Sequence, residues 1–213
     1  MTDLFFDFLC PYAWRGVELA AALREQGEPF RLRFFSLVEG NHPDNAGNLT
    51  WKLTDQPTDA AGGEGYLKHQ RPSYGAFLAA QAAYRQGEEK AWAFTLALYR
   101  AHFEQKKELD QPAFAQAAQE AALDLKQWEQ DRQDEAGLRA ALRREFDDAR
   151  EIGVFGTPTF VLPGGEAAYY RFENLTRDPD QARQFWTLFT QVMHSDAGIG
   201  TIKRARNRPP HKK

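Results

Sequence analysis

Hydrophobic and polar positions alternate between two periods along the chain. Leu4 to Phe8 is a short apolar run broken only by Asp7, the pattern of a largely buried strand. From Pro11 the spacing becomes helical through Trp14, Val17, Ala20, Ala21 and Leu23, with Gly27 placed to end the helix. In "FRLRFFSL" a period of two returns: Phe30, Leu32 and Phe34 face a core, and Arg31 and Arg33 face water. A βαβ-sized unit is thus complete by about Leu37.

Residues 38–72 are dense in Gly, Pro, Asn and Asp and read as a long loop that carries one out-of-place aromatic, Trp51. From Ser73 to Glu151 the windows are alanine-rich and helical. Asp110 with Pro112 marks a start, and Gly87 and Gly153 mark stops. The strand signal returns in "VFGTPTFVL" and "AAYYRF". Asp178-Pro179 then opens a helix whose Phe185, Trp186, Leu188, Phe189 and Val192 face the sheet. The predicted order is β-α-β, a helical block, then β-β-α, an α/β class fold.

The net charge of -3 conceals an asymmetry, because residues 201–213 hold six Lys and Arg and no acid, which leaves -9 on residues 1–200. That balance gives no basis for a nucleic-acid binder, and the tail reads as a solvated, flexible extension over 196–213. No apolar run reaches the roughly 20 residues needed to span a bilayer, so no membrane partner is expected. The chain has a single cysteine and so no internal disulfide, and "MTDLFFDF" lacks the pattern of a secretory signal. The expectation is a cytoplasmic protein.

That cysteine, Cys10, stands between a strand and a helix that begins at Pro11. At such a position the first backbone N–H groups of the helix have no intrahelical partner, so those of Tyr12 and Ala13 are free to reach the sulfur. The positive helix end favours thiolate, the nucleophilic form. Asp7, three residues earlier, is a carboxyl in an apolar strand. It either relays a proton to the sulfur or hydrogen-bonds the following turn. At the other end of the chain, Pro158 heads the apolar run "TFVL", and a proline there suits a turned backbone at Thr157, with a cis bond, offered to a ligand. The five histidines are scattered singly without metal-ligand spacing, so no metal site is expected.

"FDFLCPYAW" and "GVFGTPTFVL", in this order around a helical insertion, resemble the active-site segment and the cis-proline loop of the DsbA-like branch of the thioredoxin superfamily. The resemblance implies a thioredoxin-like domain over 1–37 and 153–195, with 38–152 as loop plus all-helical insertion. Within the branch, "RFFSLVEGN" and the Trp-containing loop are similar to the thiol-dependent nitroreductases, and the helical block to FrnE-like proteins. "FDFLCPYAW" is also similar to kappa-class glutathione transferases and 2-hydroxychromene-2-carboxylate isomerases, which carry serine in place of the cysteine.

Ala13 departs from the family pattern, standing where a dithiol enzyme has its resolving cysteine. The resemblance therefore implies a monothiol oxidoreductase with Cys10 as nucleophile. A low-molecular-weight thiol, glutathione- or bacillithiol-like, would resolve the adduct on a protein or small-molecule disulfide substrate. Pro11, Tyr12 and Ala13 complete the catalytic segment, and Trp14, Trp51, Thr157 and Pro158 would hold the small thiol. The alternatives are a transferase or isomerase that uses the thiol without redox change and a binding protein with a lapsed site; a homodimer stays open.

Overall fold

The computed structural model describes residues 1–60 and 63–200, the side chain of Tyr66 excepted. The basic residues read as a tail at 201–213 lie outside the described residues. β1 (Thr2–Phe6) leads through a turn into α1 (Pro11–Arg24), and β2 (Phe30–Phe34) lies parallel to β1, with Thr2 opposite Phe30 and Phe6 opposite Phe34. A four-residue helix, α2 (Leu37–Gly40), and three short 3-10 turns fill the segment up to His69. The helical block follows as α3 (Gln70–Tyr84), α4 (Glu88–Phe103), α5 (Gln111–Glu120), α6 (Leu125–Gln133) and α7 (Glu135–Ile152). β3 (Thr159–Val161) then pairs antiparallel with β1, β4 (Ala167–Tyr169) pairs antiparallel with β3, and α8 (Pro179–Met193) ends the fold. The strand order is β2-β1-β3-β4. The β-α-β and β-β-α halves thus share one sheet, with β1 at its centre.

Local chemistry explains most boundaries. The carboxylates of Asp110, Asp124, Asp134 and Asp178 each accept from the backbone N–H three residues on, capping α5, α6, α7 and α8. Gly153 ends α7 in the left-handed conformation, φ 86°, which a residue without Cβ adopts at no steric cost.

Three sequence expectations are corrected. The first strand stops at Phe6, not Phe8, because Asp7 accepts the Leu9 N–H and the Asp7 carbonyl accepts the Cys10 N–H, which bends the chain. Arg33 does not face water. It is 8% exposed, because α7 covers that face of the sheet and brings Glu145 and Asp148 to 2.6 Å from its guanidinium. Leu188 is exposed, and Trp186 and Phe189 carry the packing of α8.

The sheet and the helical block share one continuous apolar core. Leu4, Phe6 and Phe30 belong to the same cluster as Phe77, Leu98, Trp128 and Leu142. Each such side chain contributes roughly 1.5–3 kcal/mol on burial. Phe8 packs against Phe77 and Tyr99 at ring-centroid distances of 5.9 and 5.3 Å. The buried Tyr99 hydroxyl donates to the Asp7 carbonyl at 2.8 Å, pinning α4 to the turn ahead of Cys10. Among the described residues no helix is long and apolar enough to cross a membrane.

Candidate active site at the start of the first helix

Cys10 is the N-cap of α1, with φ -94° and ψ 114°, and Pro11 occupies the first turn. Its Sγ accepts from the Ala13 N–H at 3.4 Å and donates to the Thr157 carbonyl oxygen at 3.3 Å. The Tyr12 N–H makes no such bond. The Thr157–Pro158 peptide is cis. A proline at the start of the helix loses nothing, since its N–H would be unpaired there in any case. Pro158 packs behind the site against Gly16 of α1, where a methyl group would come within 3.0 Å of the proline Cβ.

Beneath the cysteine lies Asp7, fully buried, with Leu9 N–H donating to Oδ1 at 2.8 Å and Leu37 N–H to Oδ2 at 2.6 Å. Burial pushes its pKa up to about 7, against the opposing pull of those two N–H donors. Both readings of Asp7 from the sequence therefore have a physical basis: it ties the turns before Cys10 and before α2 together, and it titrates near neutrality. Tyr99 is also pushed well above its ordinary value, by burial first and then by the negative charge of Cys10 and Asp7.

Cys10 opens onto a cleft of about 540 Å³. Its lining includes Pro11 and Tyr12 from the start of α1, Phe155, Gly156, Thr157, Tyr169 and Arg171 from the C-terminal half, and Leu37, Asn41, His69, Pro72, His102 and Glu108 from the segments between β2 and α5. Burial first, then the charges of Lys68 and His102, lower the His69 pKa from its ordinary value. Among the described residues no group of His, Cys, Asp and Glu is placed to hold a metal ion.

The structure brings Cys10, Pro11, Tyr12 and Thr157 to the cleft, and sets Asp7, Ala13 and Pro158 directly behind it. Trp14 and Trp51 are not brought there. Trp14 turns toward α4, stacked on Phe103 at 5.3 Å, with its indole N–H donating to Glu18 at 3.2 Å. Trp51 stacks on His42 at 4.1 Å, and Asn45 accepts its backbone N–H. Tyr169, Arg171, Phe155 and His102 escaped the sequence reading. The aromatic pair in "AAYYRF" was the available signal, since the register Thr159 opposite Tyr169 places that ring beside the Thr157 loop.

Residues 1–178 match the DSBA-like thioredoxin domain. The chain belongs to that family. No curated protein matches it in sequence. Among solved structures, the cytosolic disulfide reductase DsbM from Pseudomonas aeruginosa is 21% identical with a TM-score of 0.57, over 90% of this chain and 98% of that one. The same protein solved with GSH gives 22% identity and a TM-score of 0.56 over the same shares of the two chains. A 2-hydroxychromene-2-carboxylate isomerase is 16% identical, TM-score 0.59, over 94% and 99% of the two chains. A probable DsbA oxidoreductase from Streptomyces coelicolor is 18% identical, TM-score 0.56, over 97% and 93%. At these identities the likeness is one of fold.

Ala13 is fully buried one helical turn after Cys10 and offers the sulfur its backbone N–H. The arrangement supplies one thiol, a hydrogen-bond donor from the helix end, and a backbone carbonyl across the site. It supplies no second thiol, since Cys10 is the only cysteine of the chain.

Proposed function

We propose that this DSBA-like domain is a monothiol thiol-disulfide oxidoreductase of the cytoplasm. Cys10 is its nucleophile, and a low-molecular-weight thiol of glutathione or bacillithiol type is its resolving partner. The Cys10 thiolate attacks one sulfur of a mixed disulfide. The S–S bond breaks, the substrate thiolate leaves and takes up a proton, and Cys10 is left joined to the small thiol. A second small thiolate attacks that adduct, releases Cys10 and departs as the small-thiol disulfide. In sum the mixed disulfide and one small thiol give the substrate thiol and the small-thiol disulfide: the substrate sulfur is reduced as the sulfur of the incoming thiol is oxidised.

The observation that carries this reading is the position of Cys10 Sγ, 3.4 Å from the Ala13 N–H and 3.3 Å from the Thr157 carbonyl at the base of the cleft. A helix N-terminus stabilises the thiolate that attacks or leaves. Ala13 excludes internal resolution, which makes the second thiol a requirement and assigns the cleft to it. The fold shared with a cytosolic disulfide reductase, also solved with GSH, supports the same reading. Tyr12 and Thr157 are the contacts proposed for the small thiol, with Asp7 holding the turn beneath.

The test is intact mass after incubation with glutathione disulfide and with bacillithiol disulfide, followed by turnover of a mixed disulfide under excess thiol. The expected result is a reversible adduct and turnover, both lost in Cys10→Ser. Turnover retained in Cys10→Ser, or saturable thiol binding with neither adduct nor turnover, overturns the reading.

A further inference from the structure

Arg171 lines the cleft together with Cys10, Tyr12 and Thr157. Its guanidinium is 4.5 Å from the centroid of the Tyr12 ring and 5.0 Å from that of Tyr169, and its Nε donates to the Tyr169 hydroxyl. Arg15 lies over the Tyr12 ring at 5.2 Å, with its Nη1 donating to the Phe172 carbonyl at 3.2 Å. Tyr12 is therefore flanked by two guanidiniums, and Arg171 is held by two rings and a hydrogen bond.

Several arginines of this fold are anchored on carboxylates: Arg33 on Asp3, Glu145 and Asp148, Arg143 on Glu39 and Asp147, Arg100 on Glu18, and Arg177 on Glu18 and Glu104. Among the described residues the hydrogen bond Arg171 makes is that of its Nε to Tyr169, which leaves Nη1 and Nη2 without one there. A guanidinium already oriented, with both terminal amino groups free, loses little further freedom on taking a planar anion in bidentate fashion. Arg171 is exposed, and the two half-buried rings beside it fix its direction and add a cation–π attraction. Among the described residues that line the cleft, Glu108 is the one carboxylate.

We propose that Arg171 receives a carboxylate of the resolving thiol or of its disulfide. It is then the specificity-determining residue by which the site selects carboxylate-bearing low-molecular-weight thiols over neutral and cationic ones. The proposal rests on the monothiol reading, which supplies the thiol, and adds its chemical class.

Two measurements separate the proposal from that reading. The first is the rate of mixed-disulfide formation at Cys10 with 3,3'-dithiodipropionate, bis(2-hydroxyethyl) disulfide and cystamine, compared as the ratio of anionic to neutral rates within each variant. The wild-type ratio is expected to be roughly tenfold, the scale of one charge-assisted hydrogen bond. It should fall toward one in Arg171→Gln and be partly retained in Arg171→Lys. The second is calorimetric binding of S-methylglutathione, a thioether that cannot exchange. Its affinity should weaken roughly tenfold in Arg171→Gln, whatever the reactivity of Cys10. An unchanged ratio in Arg171→Gln, or thioether binding that is absent or indifferent to the substitution, overturns the proposal. Failure of all three disulfides to modify Cys10 overturns the monothiol reading, and with it the proposal's assignment to thiols, even where the thioether still binds through Arg171.

Discussion

The Cys10 thiol donates to the carbonyl oxygen of Thr157 across 3.3 Å, joining two residues 147 positions apart in the chain. The contact exists because β1 sits between β2 and β3, so the turn after β1 and the loop before β3 emerge at the same end of the sheet. The N-cap thiol of α1 thereby meets the backbone of the loop that carries the cis Thr157–Pro158 peptide. The helical block lines the cleft as well, and Tyr99 fastens it to the turn at Asp7.

Gly16→Ala tests how closely α1 must approach that loop. The added methyl would lie 3.0 and 3.1 Å from Cβ and Cγ of Pro158, a ring without rotamers to retreat into. Overpacking of this kind costs about 1–3 kcal/mol, and here relief requires moving α1 from the loop that carries Thr157. Chemical denaturation should show the loss of stability, and Cys10 thiolation by a small disulfide should slow. Stability and thiolation rate both at the wild-type level would show that the close approach is not needed.

Ala13→Cys tests whether the missing second thiol explains the proposed dependence on a small thiol. The side chain of residue 13 is buried on the face of α1 that begins at Cys10, one turn along, where helical neighbours meet. A thiol there attacks the Cys10 adduct intramolecularly, at an effective concentration that a free small thiol cannot match. Intact mass should show an internal disulfide in place of the persistent glutathione adduct. An adduct as long-lived as in wild type would refute the assignment of Ala13.

The two ends of this site were legible in the sequence for local reasons. Cysteine followed by proline at the onset of a helical period implies an N-cap, and proline at the head of an apolar run implies a special turn. What the sequence hid depends on contacts between distant segments. Arg33 alternates as a solvent-facing residue should, and only the docking of α7 buries it. Trp14 sits four residues from Cys10, but its ring stacks on Phe103 of α4 and its indole N–H is taken by Glu18 of its own helix. Tyr169 and Arg171 reach the cleft through the register of a three-residue strand, which carries no period that a sequence reading can use.

Glu18 is 1% exposed and holds Arg100 at 2.8 Å and Arg177 at 2.9 Å, so it links α1, α4 and the segment before α8. Burial alone would raise its pKa, but the hydrogen bonds and charges of the two arginines prevail and hold it down to about 2. Glu18→Gln leaves Arg100 without its anion and Arg177 with Glu104 alone. The expected cost is about 2–3 kcal/mol, at or below the lower end for a broken buried pair because both guanidiniums are half exposed and screened. Because the folded pKa is depressed, the stabilisation is present above pH 4.5 and lost as pH falls toward about 2. Urea unfolding of both forms should show a gap that closes over this window; a gap independent of pH would assign the loss to packing.

Asp7 gives the opposite sign. Burial raises its folded pKa to about 7 while the unfolded chain keeps the ordinary value near 3.8, so the native state binds a proton that the unfolded chain has released between those limits. The stabilisation from the neutral carboxyl is complete below pH 4 and declines as pH rises to about 7, by about 4 kcal/mol for a shift of this size. Asp7→Asn has no such titration. Its stability should therefore gain on that of wild type as pH goes from 4 to 7, the reverse of the Glu18 result. The same pair should differ in the pH profile of Cys10 thiolation if Asp7 exchanges protons with the sulfur. Profiles of the same shape, displaced only in rate, would confine Asp7 to holding the turns at Leu9 and Leu37.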